Sequence, residues 1–155
     1  EVGSRGLGDV YKRQVTIGMS DAKFGFSETR IGITPAQIAR YVLQKCGYST
    51  GRRLMVTAAR FKGDEAGRLG VLDFVAEDAE ALVDLETRVK RDVLECAPGA
   101  VAACKALIIG MPATPDSEKV EFAAMNFSGC LQGEEGKEGV ASFVEKRKPN
   151  WHREI

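Results

Sequence analysis

Histidine is almost absent from this sequence: His152 is the only one. The four cysteines, Cys46, Cys96, Cys104 and Cys130, are scattered and form no CxxC pair. A zinc site needs closely spaced soft ligands, so no metal is expected. A Ser-His or Cys-His nucleophilic pair needs a placed base, and no motif places one; His152 reads as an exposed tail residue. An excess of charge of either sign is also missing, with 22 Lys plus Arg against 22 Asp plus Glu. That balance gives no surface for nucleic acid or for an anionic membrane. No apolar run reaches the length of a membrane span. The cysteines read as reduced, mostly buried thiols of a cytoplasmic protein. What remains is 155 residues, 44% of them hydrophobic, enough for a domain with a real core and unlike a disordered chain.

The first fourteen residues, EVGSRGLGDVYKRQ, are polar, rich in glycine and without period. No apolar segment follows that would make them a signal or transit peptide. Residues 4–14, SRGLGDVYKRQ, match the in-frame translation of a transposase-based sequencing adapter. Residues 1–14 are therefore expected to be a read-through scar rather than a natural flexible arm, with the natural N-terminus lost. They are left out of fold reasoning.

Beyond them, residues 15–20 (VTIGMS) read as a short buried strand and residues 23–26 (KFGF) as extended chain. The segment SETRIGITPA reads as a loop. Thr34 before Pro35 reads as a helix start, with Ile38, Tyr41, Val42 and Lys45 at helical spacing and Gly47 as its stop. Ser49 is expected to cap a second helix carrying Leu54, Met55 and Ala58. Asp64 is expected to open a short helix ending at Gly70, before a strand over 71–75 (VLDFV). Residues 78–96 are amphipathic, with Leu82, Leu85, Val89, Val93 and Cys96 on the apolar face. Further helices are expected from Pro98, from Pro115 and over 134–147. The chain is thus strand-poor and mostly helical. Strands that open a chain without partners leave backbone groups unpaired, which points to neighbours supplied from elsewhere.

Four segments carry a resemblance. Residues 21–35, DAKFGFSETRIGITP, hold a Phe and a small spacer before a Glu, followed by a Gly and a Pro. VTAARFKGDEAGRLGVLDFV (56–75), APGAVAACKALI (97–108) and EGKEGVASFVEKRKPNW (135–151) follow in order. Together they resemble the enoyl-CoA hydratase/isomerase (crotonase) family. The resemblance implies an α/β fold of the crotonase-like (ClpP/crotonase spiral) kind. Residues 15–96 would be the C-terminal part of its core and 97–155 a helical trimerisation region, in a homotrimer or dimer of trimers.

The resemblance also implies a chemistry. In the hydratases two glutamates share a water: one takes its proton, and the other supplies a proton at the α-carbon of the thioester. Two peptide N–H groups hold the enolate oxygen. Glu28 matches the second glutamate, and its apolar neighbours Phe24, Phe26 and Ile31 suit a carboxyl that donates a proton. Alone, Glu28 would read as a surface carboxylate; its FGFSE context is what gives it a role. The first glutamate and both oxyanion segments match nothing in residues 15–155, so the chain by itself is expected to be inactive. Phe127 and Lys146 match positions that contact the nucleotide end of coenzyme A. Without the resemblance, Phe127 reads as plain core and Lys146 as a solvated member of an EKRK run. No cofactor is implied, since coenzyme A belongs to the substrate.

One departure stands out. The family's Gly-rich turn is replaced by TPAQIA (34–39), bulkier residues that would reshape the acyl pocket. This wording resembles the subgroup that hydrates branched glutaconyl-type thioesters, such as isohexenylglutaconyl-CoA of acyclic terpene breakdown. Two other readings remain open: a double-bond (delta) isomerase of the same family, which can work with one carboxylate, and a non-catalytic helical piece that only oligomerises.

Overall fold

The structure, a computed structural model, describes residues 14–153. The adapter-matching segment lies outside the described residues except for Gln14. The chain divides into two compact units, Glu1–Thr87 and Arg88–Ile155, each described by itself.

Four short strands build the first unit. Strand β1 (Ile17–Met19) runs parallel to β4 (Phe74–Ala76), in the register Ile17 to Phe74. Strand β2 (Lys23–Gly25) runs antiparallel to β3 (Arg60–Lys62), with Phe24 opposite Phe61 and their rings stacked 5.7 Å apart. A parallel pair needs a long crossover. Here it contains β2, β3, helix α1 (Ala36–Val56) and helix α2 (Gly63–Arg68). The strands expected to lack partners find them inside the chain. Strand β3 was not legible, because RFK is too short to show an alternation. The strand expected over 71–75 forms two residues later: Val71 and Leu72 are buried core residues, and the ladder begins at Phe74.

Phe26, Val42, Leu54, Ala66, Val71 and Leu72 are almost wholly buried together. They bring β2's exit, both halves of α1, α2 and the entry to β4 onto one core. Gly63 allows the closest approach within it. A Cβ there would lie 1.8 Å from the Met19 carbonyl oxygen, so only glycine lets α2 start against the end of β1. At the edge of this core the Thr16 hydroxyl donates to Asp73 (2.7 Å), and Lys45 Nζ donates to both (2.8 and 3.0 Å). Burial alone would push the Asp73 carboxyl up. The hydrogen bonds from Thr16 and Lys45 outweigh it and hold the group below the ordinary range.

Helix α1 starts later than its sequence suggests. Pro35 occupies the cap position and makes no side-chain cap; its carbonyl accepts from Ile38 and Ala39 N–H. The break falls on Gly47 itself (φ 75°, ψ 162°), so Ser49 lies within the helical run instead of capping it. Ala58 has left the helix and is buried with a left-handed φ of 49°.

The second unit is helical. Helix α3 (Ala79–Leu94) enters it, followed by α4 (Pro98–Gly110), a 3-10 turn (Met111–Ala113), α5 (Lys119–Gln132) and α6 (Glu134–Val144). Pro98 starts α4 as expected, whereas residues 115–118 form a turn before α5 and the last helix stops at Val144. The first N–H groups of α4 are capped from a distance: Gly99 and Ala100 both donate to the Glu135 carboxylate at 3.0 Å. After α6, Arg147 grips Glu138 with two hydrogen bonds of 2.6 and 2.8 Å, and Asn150 N–H donates to the same carboxylate. The Arg147 hydrogen bonds lower the Glu138 carboxyl to about 2.

Among the described residues of this unit only Ser142 is buried. None of the four cysteines is buried either: Cys46 and Cys130 are half-buried, Cys96 and Cys104 exposed, contrary to the expected burial. His152 is half-buried, not a fully exposed tail. Among the described residues no single helix is long and apolar enough to cross a membrane.

Candidate active site

Glu28 opens a 3-10 turn, Glu28–Ile31, inside the segment that reads as loop. The turn closes on Gly32, whose φ of 81° lets its N–H reach back to the Glu28 and Thr29 carbonyls. Three further contacts fix it in space. Phe26, immediately before it, is buried, and its N–H donates to the Ala59 carbonyl at 3.1 Å. The Thr29 hydroxyl donates to the Met55 carbonyl at 3.0 Å, and Arg30 Nη2 to the Ala58 carbonyl at 3.3 Å. Met55 lies in the last turn of α1, where a cation such as Arg30 is favoured by the helix dipole. Glu28 is therefore carried on a backbone anchored on both sides.

Its side chain is half-buried, and its Oε2 atom is buried with no hydrogen-bond partner among the described residues. An unpaired buried carboxylate oxygen is costly, and such orphans are rare enough to point to function. The carboxyl lines a cavity of about 390 Å³ whose other walls are residues 33–38. Of the expected apolar neighbours, Phe26 is buried and Phe24 half-buried. Ile31 is 72% exposed at the outer end of the turn and so does not shield the carboxyl as expected.

The other two expected site residues lie in the second unit. Phe127 is 68% exposed and not core; it lines a cavity of about 740 Å³ among α4, α5, α6 and Trp151. Lys146 follows α6 with a left-handed φ of 54°, its side chain exposed and not among the residues that line this cavity. Among the described residues no group of three His, Cys, Asp or Glu could hold a metal ion.

Residues 14–154 match the family described as enoyl-CoA hydratase/isomerase. The chain belongs to that family. An enoyl-CoA hydratase of Alternaria alternata is 31% identical over 89% of this chain and 46% of its own length. A short-chain-enoyl-CoA hydratase of Clostridium acetobutylicum is 32% identical over 86% of this chain and 51% of its own. The chain thus spans about half the length of the curated relatives it matches. Among solved structures, Pseudomonas aeruginosa AtuE is 42% identical, with a TM-score of 0.91 over 96% of this chain and 57% of that one. The fold is accordingly the α/β crotonase fold, strand-poor and mostly helical in this stretch.

Within this enoyl-CoA hydratase/isomerase family member, sequence reasoning singled out Glu28 but not the residues that hold it. Thr29 and Arg30 show nothing in one dimension, because their acceptors lie twenty-six and twenty-eight residues away. Gln37 and Thr34 stood in the departing TPAQIA segment, and the structure brings both to the cavity of Glu28.

Proposed function

We propose that the protein is a lyase that hydrates a 2-enoyl-CoA thioester, with Glu28 as the group that delivers the proton to the α-carbon. The observation that carries this is the buried, partnerless Oε2 of Glu28 on the wall of a small cavity. In hydration a water hydroxyl bonds to the β-carbon and a proton to the α-carbon, while negative charge passes through the thioester oxygen. Glu28 would give up the α-proton, and the other glutamate of the pair would take the proton of the attacking water. The names of the relatives support the reaction class.

The first glutamate and the enolate-binding amides match nothing in residues 15–155, so this chain alone is proposed to be inactive. The finer substrate reading is a branched glutaconyl-type thioester of terpene or fatty-acid breakdown, supported by TPAQIA standing where it borders Glu28. Phe127 and Lys146 are proposed to meet the nucleotide of coenzyme A, and no separate cofactor takes part. A homotrimer is proposed for the whole protein, supported by the exposed apolar helix faces of the second unit. Glu28 is the single carboxyl lining its cavity, which suits the alternative of a delta-isomerase.

Fusing residues 15–155 behind the N-terminal half of Pseudomonas aeruginosa AtuE tests the reading. The fusion should consume the conjugated thioester, the chain alone should not, and Glu28→Gln should lower kcat of the fusion roughly 100-fold or more. A kcat within about threefold after that substitution rejects Glu28 as the proton donor. Faster turnover of crotonyl-CoA than of a branched glutaconyl-CoA rejects the finer substrate, and double-bond migration without hydration favours the isomerase.

A further inference from the structure

We infer that Thr29, backed by Arg30, is a positioning residue for Glu28: the two side chains lock the turn that carries the carboxyl onto the closed end of helix α1. This rests on the reading of Glu28 as the proton donor and deepens it. The seat is made by the way α1 ends. Ala59 N–H donates to the Leu54 carbonyl (2.9 Å) and Ala58 N–H to the Met55 carbonyl (3.3 Å), the two bonds of a Schellman cap. Such a cap usually has glycine at its left-handed position, where a Cβ is strained. Here that position holds Ala58, with φ 49° and 3% exposure. A non-glycine residue persists there only when its surroundings hold it, and strain of this kind gathers at functional sites.

Three carbonyls of this cap take donors from the Glu28 segment. Ala59 accepts from Phe26 N–H at 3.1 Å, Met55 from the Thr29 hydroxyl at 3.0 Å and Ala58 from Arg30 Nη2 at 3.3 Å. Phe26 and Thr29 therefore fasten the chain on either side of Glu28. The Met55 carbonyl has two lone pairs, and it serves both Ala58 N–H and the Thr29 hydroxyl, so the bond that shapes the cap and the bond that holds the turn share one acceptor. Residues 36–38, at the start of the same helix, line the cavity that the Glu28 carboxyl lines. Helix α1, broken at Gly47, thus supplies both a wall of the cavity and the seat of the acid. Thr29 and Arg30 are exposed, so removing either donor should cost little stability. Proton transfer is far less tolerant: a displacement of about an ångström can cost a large factor in rate.

The test compares Thr29→Val, which keeps the shape and removes the donor, with Thr29→Ser, which keeps the donor. In the fusion with the N-terminal half of AtuE, Thr29→Val should lower kcat about tenfold and change KM less than about twofold, and Thr29→Ser should restore most of that loss. In the Glu28→Gln background Thr29→Val should lower kcat no further, because a residue that acts through Glu28 then has nothing left to position. The full chain gives a readout that needs no turnover: Thr29→Val should shift or broaden the nuclear magnetic resonance of the Glu28 side-chain carboxyl, and Thr29→Ser should leave it in place. A Thr29→Val kcat within about twofold of the parent fusion, or an unmoved Glu28 resonance, overturns the role of Thr29 and leaves Glu28 as the proton donor. Equal losses with and without the Glu28 carboxyl do the same, since they mark a general structural effect. A fusion whose kcat survives Glu28→Gln overturns this inference and the reading of Glu28 together.

Discussion

Among the described residues, the apolar side chains that are buried all lie in residues 14–87 and none lies in residues 88–153. In the first unit Phe26, Val42, Leu54 and Val71 are at or below 1% exposure and belong to one core cluster. In the second, Phe143 is 85% exposed, Val120 81% and Val144 73%, and two carboxylates help to tie the unit together. Glu135 caps α4 and Glu138 grips Arg147, both by charge. The first unit therefore stands on burial and can hold a carboxyl in a fixed place. The second presents an apolar face to whatever covers it. Glu28 sits in the first, on a turn tied to that packing through Phe26 and Thr29.

The largest way to break this contrast is a cavity in the first core. Leu54→Ala should cost about 3 kcal/mol in urea unfolding. A loss below about 1 kcal/mol would mean that the first unit is no better packed than the second. Next is Asp73→Asn, which strips the charge from the Thr16–Lys45–Asp73 cluster. With the Asp73 side chain 39% exposed, solvent screening keeps the expected loss at neutral pH to about 1 kcal/mol. The Asp73 carboxyl is lowered in the fold, so its contribution is full above the unfolded carboxylate range and fades as pH falls below about 4. Wild type and Asp73→Asn should therefore converge in acid; a gap that stays constant from pH 7 to pH 3 contradicts the assignment. The smallest stability effect is expected at Phe143→Ser, within about 0.5 kcal/mol, because that ring is already in water. The same variant should weaken self-association in sedimentation, and a loss of several kcal/mol would place Phe143 in a core.

Much of this contrast was readable in the sequence. Pro98 at the first turn of α4, the stop at Gly47 and the apolar spacing of Val42 and Leu54 are local signals, and the structure keeps them. The Glu28 carboxyl stood out only through its FGFSE neighbourhood. What stayed hidden depends on distance along the chain. Strand β3 is three residues long and exists because β2 lies beside it. The Glu135 cap on α4 joins residues thirty-five apart. Val89 is half-buried and Val93 is 52% exposed, although both stand on the apolar face that the period of α3 marks out.

The β1–β4 ladder carries a consequence for how the protein forms. Ile17 and Phe74 lie fifty-seven residues apart, and among the described residues β1 pairs with no other strand. The β1–β4 ladder itself cannot form until Ala76 has been synthesised. Only then can one closure event bring the ladder, the Gly63 approach and the Thr16–Asp73 bond together. The helices that follow pack onto neighbours in sequence, α4 with α5 and α5 with α6. Contacts so local form quickly. Residues 88–153 thus have the topology to fold fast, while the β1–β4 ladder waits on a closure across fifty-seven residues.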